Sequence, residues 1–304
     1  MAGHHHPHDH HGHQSAAEPD EAAMAELLDL DGEVLHSYLT EVTTWAHDLI
    51  GDGPSRRIHD IGSGTGTGTL ALLERFAHAH AIAVDLSPRL LSRLKDKARS
   101  LGMAGRTHVV QADLNTPWPF IETVDLAWAS MSLHHMADPD RALSEILAVL
   151  RPGGLLFVAE LGSFPRFLAD DIGIGKPGLE ERLHAAIAER RAAELPHLGT
   201  DWGLCLSKAG FTIEAERYFS IDLAPPLPAS TPRYAQAFLA RLRSHFDGLL
   251  TADDVATLDT IIESDGPDGV LQRNDLTVRA ARRVWVARRR GRCQKLASGP
   301  RSRA

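Results

Sequence analysis

Cysteine is almost missing from this chain: only Cys205 and Cys293 occur among 304 residues, far apart and without a CxxC spacing. That excludes a disulfide framework and a thiolate zinc site, and it suits a reducing compartment, so the expected location is the cytoplasm. No apolar run approaches the roughly 20 residues needed to span a bilayer, and no secretory h-region follows the N-terminus. No membrane association is therefore expected. Lysine is scarce as well; only five of the 32 basic residues are Lys and the other 27 are Arg. The formal net charge is -8, which provides no general attraction to nucleic acid or to an anionic membrane. What is present is apolar content, 43%, enough for a full core in a chain of this length.

Residues 1–20 have no apolar periodicity, and seven of the first thirteen are His. Such a segment is expected to be a disordered tail. Imidazoles could take up Ni²⁺ or Zn²⁺ in solution, but a tail has no shaped site, so no catalytic metal is expected. Residues 21–55 turn helical: Leu27, Leu30, Val34, Tyr38, Val42, Trp45 and Leu49 recur at three-to-four spacing, and GDGPS (51–55) breaks the pattern. Strands and helices then alternate from 56 to 160, the rhythm of a parallel sheet wound on both faces. In the next region, 161–288, that rhythm loosens around two insertions, 161–203 and 224–275; a basic tail, 289–304, ends the chain. The fold class expected is α/β, a Rossmann-like doubly wound sheet.

The decisive segment is Asp60-Ile61-Gly62-Ser63-Gly64-Thr65-Gly66, set between a strand and a helix. Glycines let the backbone turn tightly and let a ligand approach without Cβ clashes. Dinucleotide-binding domains use the same device, so two further features decide. The sixth position of GxGxxG, counted from Gly62, is Thr67 rather than Gly or Ala. Asp60 ends the strand before the loop, where a carboxylate is poorly placed beside a pyrophosphate but well placed for a cationic amino group. S-adenosylmethionine (SAM) carries one. Asp85 ends the second strand, where an acid can accept both ribose hydroxyls of an adenosine, and Asp113 follows the third, where it can accept from an exocyclic amine.

With these motifs in view, the sequence resembles the class I SAM-dependent methyltransferases of the type-11, UbiE-like group. Asp60–Gly66 matches their first motif, Asp85 their ribose-binding acid and Asp113 their adenine-contacting residue. The stretch Asp125–His135 matches the motif after the fourth strand, and Arg151-Pro152-Gly153-Gly154 the turn before the fifth. The resemblance implies seven strands with the last antiparallel, helical cap insertions that shape an acceptor pocket, and SAM as cofactor. It implies a SAM-binding set of Asp60, Gly62, Ser63, Gly64, Thr65, Gly66, Asp85, Leu86, Asp113, Leu114 and Ser130. His134 and His135 follow the fourth strand, where a base could take a proton from the acceptor, so both are candidate catalytic residues. The sequence favours neither.

Three functions compete. The first is methyl transfer to an O, N or C atom of a small organic metabolite, a secondary metabolite or a quinone-like compound. The second keeps SAM or its product bound but performs other chemistry or regulation. An NAD-dependent oxidoreductase, the third, is disfavoured by Asp60 and Thr67. Trp202, Phe164 and Phe167 could line an acceptor pocket or fill the core; Arg282, Arg283 and Arg288–Arg290 read as a solvated strand edge and tail.

Overall fold

The computed structural model describes residues 17–51, 53, 55–119, 122–244 and 248–291. The His-rich run at 4–13, Cys293 and nearly all of the basic tail lie outside these residues. The first helix, α1 (Ala17–Val34), begins inside the segment expected to be unstructured. Ala and Glu favour helix there, and Pro19 sits in the first turn, where a missing N–H has no helical acceptor anyway. A second helix, α2 (His36–Ile50), follows directly and buries Val42, Thr43, Trp45 and Ala46.

The chain then builds β1 (Arg57–Ile61), α3 (Thr67–Arg75), β2 (His80–Asp85), α4 (Pro88–Ser100), β3 (Thr107–Gln111), β4 (Val124–Ser130), α5 (Pro139–Val149) and β5 (Leu150–Arg166). Two starts follow local chemistry. The Ser87 hydroxyl accepts from the Leu90 N–H at 3.1 Å with Pro88 opening α4, and Asp138 accepts from the Arg141 N–H at 3.0 Å ahead of α5. The rest comprises α6 (Leu179–Glu194), α7 (Trp202–Lys208), β6 (Phe211–Leu223), α8 (Thr231–Arg243), α9 (Ala252–Glu263) and β7 (Val278–Arg289).

All seven strands form one sheet in the order β3-β2-β1-β4-β5-β7-β6. β7 runs antiparallel to both β5 and β6, and the pairs among β1–β5 are parallel. The fold is α/β and Rossmann-like, with its last strand antiparallel. Central strands such as Leu155–Ala159 are apolar throughout because helices cover both faces. One face packs Trp45, Leu72, Trp128 and Phe157 beneath α2 and α3; the other packs Leu143, Ile146, Trp202 and Trp285 beneath α5 and α7. A separate cluster joins α1, α6, α8 and α9 through Leu183, Tyr234, Leu239 and Leu258. That cap stands over the carboxyl ends of β1 and β4, where the strand order reverses and doubly wound sheets bind ligands.

Candidate active site

Sequence and sheet register bring the glycine loop and three strand-end carboxylates to one cavity of ≈ 410 Å³, closed on its far side by α1. Gly62 and Gly64 have φ of 69° and 54°, a left-handed backbone that an L side chain rarely adopts. A Cβ on Gly62 would also stand 2.6 Å from that of Ser132, so the loop and the chain after β4 touch at backbone level. The Gly64 N–H donates to Asp85 Oδ2 at 2.8 Å, and the Ser87 N–H donates to Asp85 Oδ1 at 2.9 Å. Each Asp85 oxygen is thus fixed by one backbone donor and retains accepting capacity toward the cavity.

Asp60 lies deeper, 2% exposed, and accepts from the Thr69 hydroxyl at 2.5 Å. Burial raises its pKa to about 7; the Thr69 hydrogen bond opposes that rise and the nearby Asp85 charge adds to it. Asp113 holds the Asn115 N–H at 2.8 Å from the cavity wall. Leu86, Leu114, Ser63, Thr65 and Ser130 line the same space. Gly66 does not: it starts α3 at φ 80° with Leu94 packed against its Cα, and so shapes the turn from behind.

These residues fit SAM. The buried Ser63 and Ser132 hydroxyls and the Trp128 Nε1 border the cavity, and none has a hydrogen-bond partner among the described residues. Buried polar atoms without partners are costly, and a polar ligand in the cavity would satisfy them. The donor set has the required chemistry, with anionic acceptors for an ammonium and for hydroxyls, and glycines where close approach is needed.

A second cavity, ≈ 360 Å³, opens beside the first between α1, α6 and α8. Met24, Leu28, Asp31, Met131, His135 and Arg282 border both. Met131 takes φ 57° at this junction, an unusual left-handed conformation for a residue with a side chain. The two candidate histidines part company here. His134 is 5% exposed, faces only the second cavity, and its Nδ1 lies 2.5 Å from Glu160 Oε2. The other Glu160 oxygen accepts from the Leu133 N–H at 3.0 Å. A carboxylate on Nδ1 fixes the ring and leaves Nε2 as the free base position. His135 borders both cavities with its ring 4.1 Å from that of His134. Burial, then the charges of His134 and Arg241, push its pKa down to about 4, so it is neutral at physiological pH.

Glu160 escaped the sequence reading, although it is the acid that closes the apolar run Leu155–Ala159; β5 continues past it to Arg166. Asp31 escaped it too, because nothing in a helix sequence shows which face will meet a strand from 251 residues away. It accepts from Arg282 Nη2 at 3.0 Å and from the Tyr234 hydroxyl at 2.6 Å. Arg282, expected on a solvated edge, is instead 3% exposed, because α1 covers that stretch of β7. Arg283 and Arg288 do lie at the sheet surface, paired with Glu216 and Glu214. Of the aromatic candidates, Trp202 and Phe167 belong to the core, whereas Phe164 borders the second cavity.

Comparison with known proteins agrees with this geometry. A family profile described as a methyltransferase domain, of the type-11 group, matches residues 59–158. The ubiquinone/menaquinone biosynthesis C-methyltransferase UbiE of Vibrio vulnificus is 36% identical over 115 residues, 37% of this chain and 44% of that one. The malonyl-[acyl-carrier protein] O-methyltransferase of Laribacter hongkongensis is 34% identical over 120 residues, 38% and 40% of the two chains. The match thus spans less than half the length of these curated relatives. Among solved structures, a Bacillus halodurans C-125 protein provisionally described as a methyltransferase superposes with a TM-score of 0.51. It has 16% identity and covers 82% of this chain and 98% of that one, a likeness of fold.

Proposed function

We propose that this chain, whose residues 59–158 match a methyltransferase-domain profile of the type-11 group, is a class I SAM-dependent methyltransferase that methylates an O, N or C atom of a small organic metabolite held in the second cavity. The observation that carries the reading is the junction of the two cavities. One has the donor set for the cofactor, the other is largely apolar, and His134, held from behind by Glu160, faces the latter beside their common border.

SAM supplies a methyl group already activated on a sulfonium. The protein's task is then alignment, exclusion of water and removal of a proton. Asp85 and Asp113 would hold the adenosine part, and Asp60 the amino group. The closed cap of α1, α6 and α8 would exclude water from the junction. His134, with Nδ1–H donated to Glu160, would take the acceptor's proton at Nε2, and the Glu160 charge would stabilise the resulting imidazolium. Neutral His135 would pack against the acceptor at the border.

A small acceptor, rather than a nucleic acid, is supported by the net charge of -8 and by a pocket enclosed on three sides by helices. Among the described residues no helix is long and apolar enough to cross a membrane. A cytoplasmic location, supported by the scarcity of cysteine, and a role in secondary metabolism are parts of the same proposal. The test is thermal unfolding with SAM, S-adenosylhomocysteine and NAD, followed by incubation of labelled SAM with fractionated metabolite extract. Stabilisation by the first two ligands and label transfer to a small molecule are expected. Stabilisation by NAD alone would sink the reading; SAM binding without transfer to any fraction would favour a regulatory role.

A further inference from the structure

Trp128 lies on β4, 1% exposed, with its ring stacked on that of Phe157 at 5.8 Å and 21° between planes. Stacking fixes the ring plane and so the direction of Nε1–H, yet that donor has no partner among the described residues. The Nε1 edge meets the start of α3. A Cβ on Gly68 would stand 2.7 Å from Nε1, so glycine at this position lets the helix backbone lie directly against the indole. Both residues border the first cavity. The first amides of α3 have no intrahelical acceptor, and Gly66 at the N-cap has no side chain to supply one. An indole N–H, first-turn amides and the positive end of a helix dipole together call for an anionic oxygen.

An acid adjoins this donor set. Asp60 is the register partner of Trp128 in the β1–β4 pair, and partners in register project from the same face of a sheet. The Thr69 hydroxyl of α3 donates to it. A lone anion at the start of α3 would therefore meet the Asp60 carboxylate at close quarters. A ligand that carries an ammonium and a carboxylate on one carbon avoids that conflict, because one charge faces the acid and the other faces the donors. The amino-acid end of SAM has this pattern, and its adenosine end has neither charge.

We propose that Trp128 is a cofactor-recognition residue: its Nε1–H and the first amides of α3 receive the carboxylate of the SAM amino-acid end, while Asp60 receives the amino group. The site then distinguishes SAM from an adenosyl sulfonium that has lost its carboxylate. The proposal rests on the first cavity being the cofactor site. Its test is calorimetry on the full chain with three ligands: S-adenosylhomocysteine, its decarboxylated form, which keeps the ammonium, and 5′-methylthioadenosine, which lacks both charges. Wild type should bind S-adenosylhomocysteine about tenfold or more tighter than the decarboxylated form. Trp128→Phe keeps a ring against Phe157 and removes the N–H. It should cut that ratio by about fivefold or more and leave 5′-methylthioadenosine affinity within about twofold of wild type. Should Trp128→Phe fail to fold, Gly68→Ala, whose Cβ displaces the indole edge, carries the same comparison. Equal wild-type affinity for the carboxylated and decarboxylated ligands would overturn the proposal. So would an undiminished ratio in the variants, or equal weakening of all three ligands, which is what a ring that only packs would give. A wild-type protein that binds neither S-adenosylhomocysteine nor 5′-methylthioadenosine would strike the cofactor reading itself and the proposal with it, whereas the other contrary results strike the proposal alone.

Discussion

His134 Nδ1 stands 2.5 Å from a Glu160 carboxylate oxygen, with both side chains almost wholly buried. Replacing His134 by Ala should lower turnover by roughly 10²-fold or more while SAM affinity stays near wild type. Glu160→Gln keeps an oxygen for the Leu133 N–H but removes the charge that would stabilise an imidazolium. It should lower kcat more than it raises KM. Steady-state rates with the acceptor recovered from extract provide the check, and near-normal turnover in both variants would make the pair structural.

Asp85 does two things at once, fixing the Gly64 and Ser87 amides and facing the cavity. Asp85→Ala should weaken SAM binding by about 1–3 kcal/mol, through lost charged acceptors and a slackened loop. Asp85→Asn retains one acceptor oxygen and should lose less. Calorimetry on folded variants decides; unchanged affinity in Asp85→Ala is the contrary result.

The pKa of Asp60, raised by burial to about 7, has two pH consequences. An acid whose folded pKa lies above its unfolded value of 3.8 stabilises neither state at low pH, and costs stability progressively as pH rises from about 4 to about 7. In the ligand-free protein Asp60→Asn should therefore gain stability relative to wild type between pH 5 and pH 8, by at most about 4 kcal/mol. Glu180, which caps the Phe167 and Leu168 N–H groups and is also raised to about 7, contributes in the same direction. Only the difference between wild type and Asp60→Asn isolates Asp60. If the SAM ammonium sits beside Asp60, binding at pH 7 should release protons, read as a dependence of calorimetric enthalpy on buffer; Asp60→Asn should abolish it.

Gly62→Ala should cost about 1–3 kcal/mol, because the new Cβ meets Ser132 and the backbone at φ 69° resists a side chain. Chemical denaturation measures this directly, and SAM affinity should fall with it. A neutral result would mean that the loop and the segment after β4 can separate without penalty.

The alternation of strands and helices, the glycine loop and the strand-end acids Asp60, Asp85 and Asp113 were legible in the sequence because each is local. A strand period, a turn that needs glycine and a residue at a strand's carboxyl end are all set by neighbours in the chain. In a parallel sheet those ends share one edge, so local rules predict a shared site. Tertiary structure alone decided the rest. His134 and His135 are adjacent and alike in sequence, yet only His134 reaches Glu160, because the turn after β4 aims the two rings at different neighbours. Asp31, Tyr234 and Arg282 come from a helix, a cap insertion and the last strand, and no local pattern states that they meet.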